Sequence, residues 1–146
     1  MKKWFIENLL PDYRFSNLTD ISADFFSNSD LIIFDADNTL VFPETAETKK
    51  EIIDWFYKIN SRHKCILISN SRTIFERKDK ISALLKCDVF LSHNKKPFRK
   101  LFQELKKKYN FEDSRVFVAG DKIFTDILFG NLNGAKTILV KPLGRK

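Results

Sequence analysis

This chain of 146 residues has little that would support a disulfide-stapled or membrane-spanning scaffold. It has two cysteines, Cys65 and Cys87, too few for a disulfide framework. Each lies in an apolar run, KCILIS and LLKCDVFLS, and reads as a buried reduced thiol. It has two histidines, His63 and His93, and no zinc-ligand spacing. No run approaches the ~18 apolar residues that a membrane-crossing helix needs. The N-terminal MKKWFIENLL mixes charged and apolar residues, but Glu7 and Asn8 interrupt it and no cleavage site follows. Without a signal peptide, and with reduced thiols, the expected location is cytoplasmic. Glycine is scarce at four residues, and no repeat or low-complexity stretch appears, so residues 1–146 read as a single domain. That length excludes two cores, and with them a separate large substrate domain.

What is abundant is basic charge and phenylalanine. Twenty-six Lys and Arg stand against 19 Asp and Glu, for a net charge of +7. That favours anionic partners: phosphate compounds, nucleic acid or an anionic membrane. Lys supplies 19 of the 26 basic residues, and Phe occurs 15 times. An AT-rich coding sequence accounts for the excess of Lys, Asn and Phe as well as function does.

The hydrophobic pattern alternates between short continuous runs and helical periods. LIIFD (31–35), KCILIS (64–69), CDVFL (87–91), RVFVA (115–119) and KTILVK (136–141) read as buried strands. Between them, 45–61, 72–85, 98–109 and 123–133 read as helices, the first on Ile52, Ile53, Phe56 and Ile59 at helical spacing. Strands alternating with helices predict an α/β fold with a central, mostly parallel sheet flanked by helices. In such sheets ligands bind beyond the carboxyl ends of the strands. The residues there are Asp35-Ala-Asp37-Asn-Thr39, Ser69-Asn70-Ser71, Ser92 to Lys96, and Gly120-Asp121-Lys122.

One DxD pair serves equally well as a turn or helix cap. Four strand ends carrying two acids, a hydroxyl, a lysine and a third acid point to phosphoryl transfer. An aspartate such as Asp35 can attack phosphorus and form an aspartyl-phosphate. Asp37, two residues on, can protonate the leaving alkoxide and then deprotonate the attacking water. A carboxylate-held Mg²⁺ supplies charge neutralisation. Ser69 can hydrogen-bond a phosphoryl oxygen. Lys96 can hold the phosphate and orient Asp35. Asp121 can complete the metal site, and Asp126 can support the metal through water or pair with Lys96. His93, close to Lys96, can line the pocket.

IIFDADNTL, ILISNS, KKP and VAGDKIFTDI resemble, in order, the four motifs of haloacid dehalogenase (HAD) superfamily phosphatases, over roughly residues 31–141. TDILFGNLNGAKTILVKP and the lead-in LLPDYRFSNLTDIS are similar to the YqeG-like branch, which includes the phosphatidylglycerophosphate phosphatases. Ala36, Lys122, Phe129 and Leu132 depart from that branch's pattern, Leu132 standing where it carries an Arg suited to phosphate. The resemblance implies a Rossmann-like HAD fold and a subclass III phosphomonoesterase. It implies Asp35 and Asp37 as catalytic residues and Ser69, Asn70 and Lys96 as phosphate-binding. Asp35, Asp37 and Asp121 would hold Mg²⁺, with Thr39 and Asp126 in support.

Spacing restricts the substrate. Asp37 and Ser69 are 32 residues apart and Ser69 and Lys96 are 27 apart, gaps already filled by helices and a strand. Neither holds a cap domain, so the site is expected to be open and the substrate large. A lipid-borne phosphate monoester is the first expectation, with phosphatidylglycerophosphate as the compound the resemblance implies. A sugar phosphate, a nucleic-acid end or a phosphoprotein is the alternative, and a non-catalytic phosphate-binding role a further one. No stacked-aromatic motif favours nucleic acid. Lys95 and Arg99 can contact a second phosphate or anionic headgroups, attraction worth about 1 kcal/mol per basic residue near a membrane surface. Residues 106–108 read as a solvated helix face. The lead-in, 1–28, with Trp4, Phe5, Ile6, Leu9 and Leu10, is either packed on the sheet or an interfacial anchor to the inner face of the membrane. No oligomeric state follows from the sequence.

Overall fold

The structure is a computed structural model and describes residues 6–144. Six strands form one parallel sheet: β1 Tyr13–Phe15, β2 Leu31–Asp35, β3 Cys65–Ile68, β4 Asp88–Val89, β5 Val116–Gly120 and β6 Lys136–Val140. Their order is β1-β6-β5-β2-β3-β4. Five correspond to the apolar runs read from the sequence, though β4 is shorter than 87–91. The sixth, β1, lies in the lead-in and carries no apolar run. It exists through pairing with β6, Tyr13 opposite Ile138 and Phe15 opposite Val140.

Every residue of β2 and β5 is buried. Their side chains alternate between the two faces of the sheet. Ile32, Phe34 and Phe117 pack on one face with helices α1 (Lys50–Arg62) and α2 (Ile74–Leu85). Leu31, Ile33, Val116 and Val118 pack on the other with α3 (Arg99–Tyr109). Phe129 from α4 (Leu128–Leu132) joins that second core. α1 begins at Lys50, later than the expected 45, because Phe42 to Lys49 form a loop closed by Phe42 N–H donating to Glu47 O. Its first turn carries Glu51 and its last turn Arg62, complementing the helix dipole. α2 and α3 end at Lys86 and Asn110, both left-handed, as helix C-caps often are.

Much of the phenylalanine is structural. Phe25, Phe26 and Phe117 meet edge-on or tilted, as do Phe34 with Trp55 and Phe102 with Phe129. Such pairs add about 0.5–1.5 kcal/mol each beyond area burial. The lead-in packs rather than hangs free from β1 onward: Leu18, Ile21 and Phe26 are buried, and Trp55 Nε1 donates to Ile21 O at 2.8 Å. Trp4 and Phe5 lie outside the described residues. Among the described residues no helix is long and apolar enough to cross a membrane.

From β2 the chain moves outward to β3 and β4, then returns to β5 on the other side of β2. The carboxyl end of β2 is therefore the switch point of the sheet, where open α/β proteins bind ligands. Asp35 is the last residue of β2.

Candidate active site

Asp35 sits at the floor of an open cavity of about 550 Å³ with Asp37, Ser69, Asn70, Lys96 and Lys122 around it. Three strand-end segments converge on its carboxylate. The turn after β2 is tight: Leu40 and Val41 N–H both donate to Ala36 O at 3.0 Å. Asn38 takes a left-handed conformation (φ 63°), which Asn tolerates better than most residues. That turn carries Thr39 back to the strand end. Thr39 Oγ1 lies 3.3 Å from both Asp35 Oδ2 and Asp121 Oδ1, so its single proton serves one of them at a time.

Lys96 is the centre of charge. It is 4% exposed, with Nζ 2.6 Å from Asp35 Oδ1 and 2.5 Å from Asp126 Oδ1. A buried ammonium persists only when paired. Burial pulls its pKa down, but Asp126 and Asp35 outweigh that and raise it, so Lys96 stays charged. Asn70 fixes the backbone of Lys96 from both sides, Nδ2 donating to Lys96 O and Oδ1 accepting from Lys96 N–H. Asn70 thus holds the lysine's backbone while also lining the cavity.

Asp126 is fully buried. It reaches Lys96 because the chain after β5 makes a wide π turn over Ile123–Ile127, with Lys122 N–H on Asp126 Oδ2. Such turns recur at functional sites. A Cβ on Gly120 would overlap the Asp126 carboxylate, so the strand must end in glycine there.

One carboxylate oxygen from each of Asp35, Asp121 and Asp126 falls within 4.8 Å of the others. Three acids face one buried ammonium, and the imbalance is felt. Burial, with repulsion from Asp126 and Asp121, pushes Asp35 up to about 8 despite Lys96. Burial and Asp126 likewise raise Asp121. A divalent cation bound by oxygen ligands would relieve that excess, so the donor set fits one. The carboxylate of Asp37 lies outside this cluster.

Asp37 instead faces Arg77, a residue the sequence reading did not single out. Arg77 Nη1 and Nη2 donate to Asp37 Oδ1 and Oδ2 at 2.8 and 2.9 Å. Ser69 Oγ donates to Oδ2 at 2.8 Å and Glu44 N–H to Oδ1 at 3.0 Å. Burial pushes the Asp37 carboxyl up, but these donors, Arg77 first, hold it below its usual value. Arg77 also binds Glu44, Thr45 O and Thr73, joining α2 to the loop after β2. Ser69 therefore lines the cavity while its hydroxyl is committed to Asp37.

Other sequence candidates lie further out. His93 stacks on Phe75, rings 5.2 Å apart, in an adjoining cavity that shares Ser69 to Arg72 with the first. Lys95 lines that second cavity. Leu132 is exposed at the end of α4 and does not line the main cavity, so the arginine it replaces is not missing from around Asp35. Cys65 and Cys87 are free and buried, and burial pushes the Cys87 thiol up to about 12.

A carboxylate at the switch point, paired with a buried lysine and reached from an open cavity, is the arrangement that the resemblance to haloacid dehalogenase phosphatases implies. The family model for mitochondrial PGP phosphatase matches residues 6–143, and the chain belongs to that family. It is 31% identical over 146 residues to the probable phosphatase YqeG of Bacillus subtilis (strain 168), covering 98% of this chain and 81% of that protein. It is 29% identical over 121 residues to phosphatidylglycerophosphate phosphatase 1, chloroplastic/mitochondrial, of Arabidopsis thaliana, covering 78% of this chain and 35% of that protein. No solved structure matches the chain significantly.

Proposed function

We propose that this phosphatase is a Mg²⁺-dependent phosphomonoesterase that dephosphorylates phosphatidylglycerophosphate through a phosphoryl group carried on Asp35. The observation that carries the reading is the buried Lys96 bridging Asp35 and Asp126 beneath an open cavity. Asp35 is aimed and its charge partly offset, while a phosphate entering the cavity meets Ser69, Asn70 and Lys122 around it. The named relative from Arabidopsis supports the lipid substrate.

Asp35, Asp121 and Asp126 would hold the metal, which supplies charge neutralisation to the phosphoryl oxygens when bound. The remaining chemistry belongs to the chain. A carboxylate oxygen of Asp35 bonds to phosphorus as the bond to the glycerol oxygen breaks. The departing alkoxide takes a proton from Asp37. Water then attacks phosphorus, gives its proton to Asp37, and releases Asp35 and inorganic phosphate. The ionised Asp37 held by Arg77 suits the second step. For the first, Asp37 must carry a proton and turn from Arg77 toward the leaving group.

The test is hydrolysis of phosphatidylglycerophosphate in mixed detergent micelles, with and without Mg²⁺. Wild type should release phosphate only with Mg²⁺, and Asp35→Asn should release none. Phosphate release from soluble sugar or nucleotide phosphates much faster than from the lipid would overturn the substrate; equal release by Asp35→Asn would overturn the chemistry.

A further inference from the structure

Phenylalanine is buried or half-buried through most of this protein. Among the described residues three are exposed, Phe75, Phe98 and Phe124, at 43%, 67% and 65%. All three follow the carboxyl end of a strand: Phe75 after β3, Phe98 after β4, Phe124 after β5. Each has an exposed cation two or three residues before it, Arg72, Lys95 and Lys122 respectively. Because the sheet is wholly parallel, these three segments emerge at the same edge. The two adjoining cavities tie them together. Arg72 and Lys122 line the one that holds Asp35, and Arg72, Phe75 and Lys95 line its neighbour.

We propose that this rim of Phe75, Phe98 and Phe124 with Arg72, Lys95 and Lys122 docks on the headgroup layer of an anionic bilayer. The pairing of an apolar ring with a cation is what an interface demands. The ring enters the boundary of headgroup and acyl chain, and the cation stays at the anionic surface. Docked this way, the rim surrounds the cavity, and a phosphate monoester projecting from the leaflet reaches Asp35 without leaving the membrane. The inference rests on the lipid-phosphate reading.

It also places the membrane at the opposite end of the molecule from the first described residues, 6–10. Asn131 Nδ2 donates to Asn8 O and Leu10 O, both at 2.8 Å, and Asn131 Oδ1 accepts from Thr137 at the start of β6. Exposed Ile6 and Leu10 therefore belong to the amino-terminal edge of the sheet, and the rim to the carboxyl edge.

The experiment is flotation of the full chain with vesicles of phosphatidylcholine containing phosphatidylglycerol at 7:3, against phosphatidylcholine alone. Wild type should bind the anionic vesicles and release them as salt rises. Phe98→Ala/Phe124→Ala should bind about tenfold more weakly, as expected for losing two partly inserted rings. Its hydrolysis of p-nitrophenyl phosphate should be unchanged, since neither ring lies in the catalytic cluster. Lys95→Glu should also weaken binding. Undiminished vesicle binding by the double variant, or no binding by wild type, would overturn the docking face. Vesicle binding without hydrolysis of phosphatidylglycerophosphate in micelles would instead retire the substrate reading and leave the docking face standing.

Discussion

Arg77 grips both carboxylate oxygens of Asp37, at 2.8 and 2.9 Å, while Lys96 bridges Asp35 and Asp126. The two acids of the DxD pair thus lie in opposite electrostatic settings. Asp35 is pushed up by burial and neighbouring acids, while Asp37 is held down by an arginine. Paired carboxyls whose environments drive them apart are a common basis for dividing acid, base and nucleophile roles.

Arg77→Gln should lower kcat on alkyl phosphates about 10- to 100-fold, within the range of general acid–base contributions. The loss should extend to p-nitrophenyl phosphate, because water attack on the phosphoryl group carried by Asp35 is common to both substrates. With Arg77 gone, burial acts on Asp37 less opposed, so the acidic limb of the pH–rate profile should move upward. Arg77→Lys should recover only part of the activity, since a lysine cannot reproduce the two-pronged contact. Steady-state kinetics across pH with both substrates checks this, and an unmoved acidic limb would speak against it.

Asp35 shapes stability against pH. Its folded value is raised from 3.8 to about 8, so the unfolded chain gives up the proton first. Folding stability is then lost as pH rises from about 4 to about 8. Metal-free wild type should melt at lower temperature at pH 8 than at pH 5. Asp35→Asn cannot ionise, so it should remove most of that slope and raise Tm at pH 8, by roughly 2–4 °C per kcal/mol recovered. Asp121, shifted the same way, should leave a residual slope. Mg²⁺ at a hundred times its Kd should restore about 2.7 kcal/mol to the wild type. Differential scanning calorimetry at pH 5 and 8 reads all three effects.

Gly120 tests how Asp126 is seated. A methyl group at that position would occupy the space of the Asp126 carboxylate. Gly120→Ala should push Asp126 off Lys96, leaving a buried ammonium with one partner fewer. Breaking one side of such a pair typically costs about 3–5 kcal/mol. Both Tm and kcat should fall, kcat by about 100-fold or more, as when a transition-state charge contact is lost. Thermal melts and p-nitrophenyl phosphate turnover measure the two losses.

The strand-end acids, Ser69 and Lys96 were legible in the sequence because each follows a short apolar run, and a parallel sheet gathers such ends at one edge. The pairing of Asp126 with Lys96 was one of two roles its spacing from Asp121 allowed. Arg77 was not legible. It stands in FERKDK, which looks like a solvated helix face, and its burial depends on the loop at 42–49 folding over it. One local signal was available: Thr73 lies four residues before Arg77, and its hydroxyl accepts from Arg77 Nε. β1 was hidden for a different reason. A three-residue edge strand buries too little to leave a pattern, and only its partner β6 defines it.

The central claim is that phosphate passes through Asp35. The direct measurement is an acid quench of Asp37→Asn during turnover of p-nitrophenyl phosphate with Mg²⁺, followed by mass spectrometry of the peptide containing Asp35. Loss of the base that activates water should let a hydroxylamine-labile phosphoryl group accumulate on Asp35, absent when Asp35→Asn is added. Continued release of phosphate with no phosphoryl group on that peptide would contradict the account.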